Sequence, residues 1–288
     1  VNTYNIIDLS VAIDVNSWEP NPVKCKIVDH RKGADLLGKT LISMRGSNFF
    51  LKLVELIKHT FGFGLDHKDF PDEKGLSLYT YEITTHTGTH LDAPYHFGDT
   101  NREGKKAKTI TDIPLEWCFG NGVLLDFESP EAKDAISKDE VIAKLEEIQY
   151  QIQPFDIVLL KTGGDQYAGT PYYFTNFRGV SVEATEYLVD CGVKIIGIDS
   201  FGFDPPFGKM IGKYLQEKDV KHLWPAHFLG RKKEYCHIER LTNLDKIQNP
   251  TGFKVCCFPI KLSGSDAGWS RVVAIESCEK REMDFGGG

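Results

Sequence analysis

Residues 79–97, YTYEITTHTGTHLDAPYHF, hold His86, His90 and His96 within eleven residues, together with Asp92. Nine histidines in 288 residues would put only about a third of one in such a window by chance, so the density asks for a cause. Imidazole and carboxylate groups suit Zn²⁺, Mn²⁺ or Fe²⁺. Three protein ligands leave positions open for water and substrate, the arrangement of catalytic rather than structural sites. The plainer alternative is a polar turn whose side chains only cap backbone groups, and it accounts poorly for the density and for the Gly and Pro that shape the segment.

The backbone needed to gather these residues can be read from the same segment. Alternation of Tyr79, Tyr81 and Ile83 predicts a strand running into the site. Gly88 breaks it, and Pro94 pushes Ala93 toward extended backbone, so the H-x3-H-x-D-x3-H array is not expected on a helix. With Thr at position 87 instead of Glu, a helical zinc-protease pair is a poor model. On extended backbone His90 and Asp92 project the same way, while the Gly88 bend brings His86 round to meet them.

Elements that could carry this segment recur along the chain. Short apolar runs rich in β-branched residues begin at Val123, Ile157, Val193, Val255 and Val272 and read as strands. Ser137 followed by Glu140 is a capping-box pattern that opens a helix with Val141, Ile142, Leu145 and Ile148 on one face. A second helix runs from Ser181 as N-cap to about Cys191, with Gly192 supplying the left-handed turn. A third, FFLKLVELIKHTF from Phe49, is stopped by Gly62 and is apolar around much of its circumference, so it is either buried or packed on a second subunit. Strands alternating with helices, without internal repeats, predict an α/β or mixed α+β single domain over residues 1–288. Stretches at about 25–75 and 201–224 look inserted, and Gly286, Gly287 and Gly288 form a tail.

Composition removes several classes. A net charge of -7, with no basic cluster interleaved with aromatics, disfavours nucleic acid. Asp8 and Asp14 interrupt the first apolar run, and no segment suits a membrane span, so a cytoplasmic protein is expected, without membrane partners. Seven cysteines without C-x-x-C spacing fit reduced, mostly buried thiols. The chain lacks a G-x-S-x-G elbow, and FGFGLD near Phe61 lacks the Lys and Ser/Thr of a phosphate loop.

The motif His86-Thr87-Gly88-Thr89-His90-Leu91-Asp92-Ala93-Pro94-Tyr95-His96-Phe97 resembles, at every fixed position, the H-x-G-T-H-x-D-x-P-x-H-F signature of the metal-dependent cyclase family. That family includes bacterial kynurenine formamidases and isatin hydrolases. DLSVAID near the start, KTGGD from Lys161, GVKIIGIDS from Gly192 and FPIKLSGSDAGWSR from Phe258 extend the likeness over most of the chain. The resemblance implies an α/β fold with a mixed sheet or barrel-like core flanked by helices, of the swivelling β/β/α type. It also implies His86, His90 and Asp92 on one divalent ion, Zn²⁺ or Mn²⁺. Asp92 and Glu239 would bridge to a second ion held by His227, twelve residues before Glu239. His96 would be the acid/base residue, and Trp18 would stack on an aromatic substrate, although core packing explains that Trp equally well. His237 competes with His227 as a ligand. Asp199 is expected to cap the turn at a strand end rather than act in the site.

The chemistry implied is hydrolysis of a C–N bond in a linear or cyclic amide of a small aromatic or cyclic molecule, by attack of metal-bound hydroxide with His96 moving the proton. The alternative is a cyclase or dehydratase acting on a polyketide-like substrate through the same metal. A non-catalytic binding protein is disfavoured, because an acid/base His beside an open metal position has no purpose in mere binding. The apolar Phe49 helix predicts a homo-oligomer, a dimer or larger.

Overall fold

The computed structural model describes residues 4–44, 49–61, 64–129 and 135–277, without the side chains of residues 41–43, 55 and 59. Gly62 and the tail Gly286–Gly288 lie outside the described residues. In chain order the first elements are β1 (Tyr4–Asp8), β2 (Lys24–Val28), α1 (His30–Met44), α2 (Phe49–Thr60), β3 (Leu78–Glu82), β4 (His90–Asp92), α3 (Pro94–Phe97) and β5 (Phe119–Asp126). Next come α4 (Lys138–Glu147), β6 (Ile157–Lys161), α5 (Pro171–Thr175), α6 (Val182–Asp190) and β7 (Ile195–Ile198). The last are α7 (Phe207–Glu217), α8 (Pro225–Leu229), β8 (Cys236–Glu239), β9 (Phe253–Cys256), β10 (Ala267–Trp269) and β11 (Val273–Ser277).

The chain divides into two compact units, one of Val1–Asn21 with Thr84–Gly288 and one of Pro22–Ile83. In the larger unit nine strands form a mixed sheet in the order β1-β11-β9-β5-β6-β7-β8-β4-β10. Strands β5, β6, β7 and β8 are parallel, and the remaining pairings are antiparallel. The central strands are apolar at nearly every position because both their faces are buried. Leu124, Ile157, Leu159 and Ile195 point into one cluster, and Val123, Leu125, Val158, Leu160, Ile196 and Ile198 into the other. The second cluster is covered by helices, with Val141 and Leu145 of α4 and Ala184 and Leu188 of α6. The first cluster also holds Ile7 of β1 and Leu91 of β4, strands far apart in the sheet order. The sheet must therefore curl around it, and the bond from Thr242 N–H to the Leu9 carbonyl (3.0 Å) joins the segment after β8 to the one after β1.

The smaller unit consists of the antiparallel pair β2–β3 and the packed helices α1 and α2. Residues 78–82 do form the strand read from their alternation, but its partner is Lys24–Val28 and it belongs to this second sheet, not to the one carrying the His cluster. The alternation reported the pleat correctly and could not report the partner.

Local signals in the larger unit translate directly. Ser137 Oγ accepts from Glu140 N–H and Glu140 returns a carboxylate to Ser137 N–H, closing the capping box of α4. Ser181 caps α6, and Gly192 follows its end at φ +96°. All six cysteines among the described residues are free, with Cys118, Cys236 and Cys257 buried.

One tight contact shows how closely the sheet is packed. Gly122 of β5 lies opposite Phe253 of β9, and a Cβ at Gly122 would sit 2.0 Å from the Phe253 ring. Phe253 is itself buried and cannot swing away. We expect Gly122→Ala to destabilise the fold by about 1–3 kcal/mol, read as a lower denaturation midpoint at unchanged slope; a midpoint equal to wild type would show that the ring has room to move.

Candidate metal centre and active site

The register of three short strands assembles the site. Strand β4 lies between β8 and β10, with His90 opposite Glu239, Asp92 opposite His237, and Ala267 opposite Asp92. Side chains alternate along a strand, so His90 and Asp92 share one face and meet His237 and Glu239 there. Leu91 and Ile238, the residues between, point the other way into the core. All four polar side chains are buried.

Within this group Asp92 Oδ2 lies 2.9 Å from His237 Nε2. Its other oxygen, Oδ1, is buried without a hydrogen-bond partner. It stands 3.1 Å from His86 Nδ1 and 3.4 Å from His90 Nε2. Glu239 Oε2 is 3.6 Å from His90 Nε2, while Oε1 is 3.5 Å from His237 Nε2, 3.9 Å from His227 Nε2, and accepts from Phe203 N–H at 2.8 Å.

The remaining donors arrive from loops and helix ends. His86 lies in the turn before β4, where Gly88 takes φ +69°, a left-handed conformation open to Gly. His227 lies on α8, whose first backbone N–H groups are accepted by Asp204: Ala226 N–H at 2.8 Å and His227 N–H at 3.0 Å. His96 does sit on a helix, contrary to the expectation for the array as a whole. Ala93 is extended as foreseen, but Pro94 then serves as the first residue of the single-turn α3, where its fixed φ suits a helix start.

The outward-facing ring nitrogens fix which way each imidazole points. His90 Nδ1–H donates to the Gly88 carbonyl at 2.8 Å, since a carbonyl can only accept. His227 Nδ1 meets Asp204 Oδ2 at 2.6 Å, and His86 Nε2 meets Asp266 Oδ2 at 3.0 Å. Each of these rings is held from behind and turns its other nitrogen toward Asp92 or Glu239, the outer support that metal-binding histidines use.

The electrostatics follow from burial set against these neighbours. Burial drives His90 down to about 4, against the pull of Asp92 and Glu239, so it is a neutral lone-pair donor. Burial and the nearby His227 likewise lower His237. For His86 burial opposes the charge, but Asp92 and Asp266 outweigh it and, with no cation at the site, raise its pKa to about 10; a bound cation would displace the proton on the inward Nδ1. Asp92 pays a large desolvation penalty and is nonetheless held well below the usual carboxylate range by His90, His96 and His86. His227 is raised, because Asp204 overcomes the effect of burial.

These residues fit a divalent cation. A buried carboxylate oxygen with no hydrogen bond, ringed by inward imidazole nitrogens, is an unmet demand for positive charge. Ligand atoms of Asp92, His227, His237 and Glu239 lie within 4.8 Å of one another, as do those of His86, Asp92 and His96. Nitrogen and carboxylate donors of this kind suit Zn²⁺ or Mn²⁺.

The five ligand candidates His86, His90, Asp92, His227 and Glu239 are thus brought together, with His96 at their more open edge. His237, weighed in the sequence only as a rival to His227, stands beside it, the two rings 4.5 Å apart. Trp18 packs on Phe174 at 5.7 Å, and Phe174 meets Phe201 at 4.9 Å. Asp199 caps the turn after β6, accepting from Thr162 N–H and Gly163 N–H, and burial raises it to about 7. Elsewhere His67 pairs with Asp35 and His222 with Glu217. Asp204 and Asp266 were not anticipated in these roles. Asp266 lies within the family-like FPIKLSGSDAGWSR segment, but nothing in its own spacing ties it to residues 180 positions earlier.

Comparison with known proteins agrees with this architecture. A kynurenine formamidase of Bacillus thuringiensis (strain Al Hakam) is 27% identical over 192 residues, 66% of this chain and 76% of its own. Isatin hydrolase A of Labrenzia aggregata, solved with benzyl benzoate, superposes with a TM-score of 0.64 at 20% identity, over 96% of this chain and 94% of its own. A structure described as a potential metal-dependent hydrolase with cyclase activity superposes at 0.57 and 20% identity, over 95% and 98% of the two chains. Residues 7–205, more than half of the chain and including the whole His86–Phe97 motif, match the family model Cyclase, described as "Putative cyclase", and the chain therefore belongs to the Cyclase family of enzymes.

Proposed function

We propose that this chain is a metal-dependent hydrolase that cleaves the C–N bond of a linear or cyclic amide on a small aromatic molecule. The observation that carries the reading is the orphaned Asp92 Oδ1, buried among imidazole nitrogens whose outer atoms are already claimed. His86, His90 and Asp92 would hold one divalent ion, Zn²⁺ or Mn²⁺. His227, His237 and Glu239, with the second oxygen of Asp92, would hold another. When bound, the metal supplies Lewis acidity, which makes water a competent nucleophile at neutral pH and polarises a carbonyl.

The side chains then divide the remaining work. His96, at the accessible edge and off the buried carboxylates, takes a proton from the attacking water and gives it to the departing nitrogen as the C–O bond forms and the C–N bond breaks. Trp18, with Phe174 and Phe201, offers aromatic faces to a planar substrate ring. The names kynurenine formamidase and isatin hydrolase, carried by relatives, support a formamide or a lactam as the bond cleaved. A cyclase would act through the same residues, and incorporation of ¹⁸O from labelled water into the product separates the two. Free cysteines favour a reducing compartment such as the cytoplasm.

The smaller unit supports self-association. Phe49, Phe50 and Leu51 of α2 are 71%, 75% and 61% exposed, and Leu53, Val54, Leu56 and Ile57 are also exposed. A helix so apolar and so exposed among the described residues is best satisfied by a second copy.

Three outcomes test this reading. Exhaustive chelation should abolish turnover of N-formylkynurenine and isatin, and readdition of Zn²⁺ or Mn²⁺ should restore it; full activity in metal-free protein would falsify the mechanism. His90→Ala and Asp92→Ala should lose bound metal, whereas His96→Ala should keep it and lose about 10²–10⁴-fold in kcat; metal loss in all three would make His96 a ligand. In sedimentation, wild-type protein at micromolar concentration should run as a dimer or larger, and the pair Leu53→Glu, Ile57→Glu should dissociate it while leaving it folded. A monomeric wild type would remove the oligomer proposal.

A further inference from the structure

We infer that Asp266 is a positioning residue, a single carboxylate that fixes the tautomers of both His86 and His96 and so separates a metal-facing imidazole from a proton-carrying one. The inference rests on the proposed role of His96 as the acid/base group.

Asp266 reaches the site through backbone pairing. It immediately precedes β10, whose Ala267 lies opposite Asp92, and its own carbonyl accepts from Ala93 N–H at 2.9 Å. That places its side chain behind the motif. One oxygen, Oδ1, accepts from the Thr85 hydroxyl at 3.1 Å, which helps to fix the carboxylate plane. The other, Oδ2, lies 3.0 Å from His86 Nε2 and 3.3 Å from His96 Nδ1.

An ionised carboxylate accepts and never donates, so both ring nitrogens facing Oδ2 carry their protons. Opposite consequences follow for the two rings. His86 is left with Nδ1 facing inward, 3.1 Å from Asp92 Oδ1. His96 is left with Nε2 as the nitrogen that exchanges protons, because its Nδ1 is committed to Asp266. Distance alone does not distinguish the two, since the rings are 4.3 Å apart and both reach within 4.8 Å of Asp92. The Asp266 bond to Nδ1 is what keeps His96 from turning that nitrogen to the metal. A carboxylate that orients a base in this way acts through the base and touches no reacting atom.

The test begins with wild-type protein labelled with ¹⁵N-histidine and loaded with zinc. Long-range ¹H–¹⁵N correlation should show His96 protonated at Nδ1 and His86 protonated at Nε2; a His96 protonated only at Nε2 overturns the inference without any variant. At saturating zinc, Asp266→Ala should keep the wild-type melting profile, hold KM for isatin or N-formylkynurenine within about 3-fold, and lose about 10–100-fold in kcat. Asp266→Glu should recover part of that loss. An unchanged kcat in zinc-saturated Asp266→Ala contradicts the positioning role. His96→Ala distinguishes the failures: if it keeps its turnover the acid/base reading fails, and if it loses turnover while Asp266→Ala does not, only the positioning role fails. Should Asp266→Ala not fold, the wild-type spectrum decides.

Discussion

The pairing of His90 with Glu239 and of Asp92 with His237 across β4 and β8 is the constraint on which the site depends. Two strands of three and four residues bring four polar groups onto one face and three core residues, Leu91, Cys236 and Ile238, onto the other. Because the side-chain period is two, a slip of one residue would bury His90 and Asp92 against the core and turn Leu91 toward the cluster. The apolar face thus enforces the polar one: Leu91 and Ile238 are fully buried, and their demand for cover selects the register that assembles the ligands.

That arrangement is costly before any cation arrives. Asp92 and Glu239 are carboxylates removed from water, and most of their neighbours are imidazoles whose charged forms burial opposes. The chain answers with partial compensation. Asp204 and the Gly88 carbonyl hold the outer nitrogens of His227 and His90, and Phe203 N–H donates to Glu239. One oxygen of Asp92 is left without a hydrogen bond. Keeping such a group lowers the stability of the empty protein, a cost that binding of a divalent ion would offset.

Much of this was legible in the sequence, and the reasons differ by residue. His86, His90, Asp92 and His96 announced themselves because they are close in the chain and are framed by Gly88 and Pro94, whose backbone preferences are local. Ser137 and Ser181 were legible for the same reason, since a cap and its helix are neighbours. His227 and Glu239 could be found only through their likeness to a family pattern, and they lie beyond the residues 7–205 that the family model matches. His237 was ambiguous because a buried histidine and a ligand look alike until the register is known. Asp266 and Asp204 carried no signal of their own, as their partners are distant in sequence. Strand β3 shows the converse limit: periodicity revealed a strand but not that its partner was β2.

The separation of the site residues along the chain also orders events in time. His90 and Glu239 are hydrogen-bonded neighbours in the sheet, yet the segment between them includes three of the sheet's central strands, β5, β6 and β7. During synthesis the first three ligand candidates emerge long before β8 exists to pair with them, and β10, which flanks β4 on its other side, comes almost last. A nascent chain therefore exposes the His86–His96 motif without the fold that gives it shape. Contacts of such sequence separation close late and slowly. A metal site built from these residues would take its shape only once β8 and β10 have paired with β4, so the long connection between β4 and β8 would separate synthesis of the motif from completion of the site.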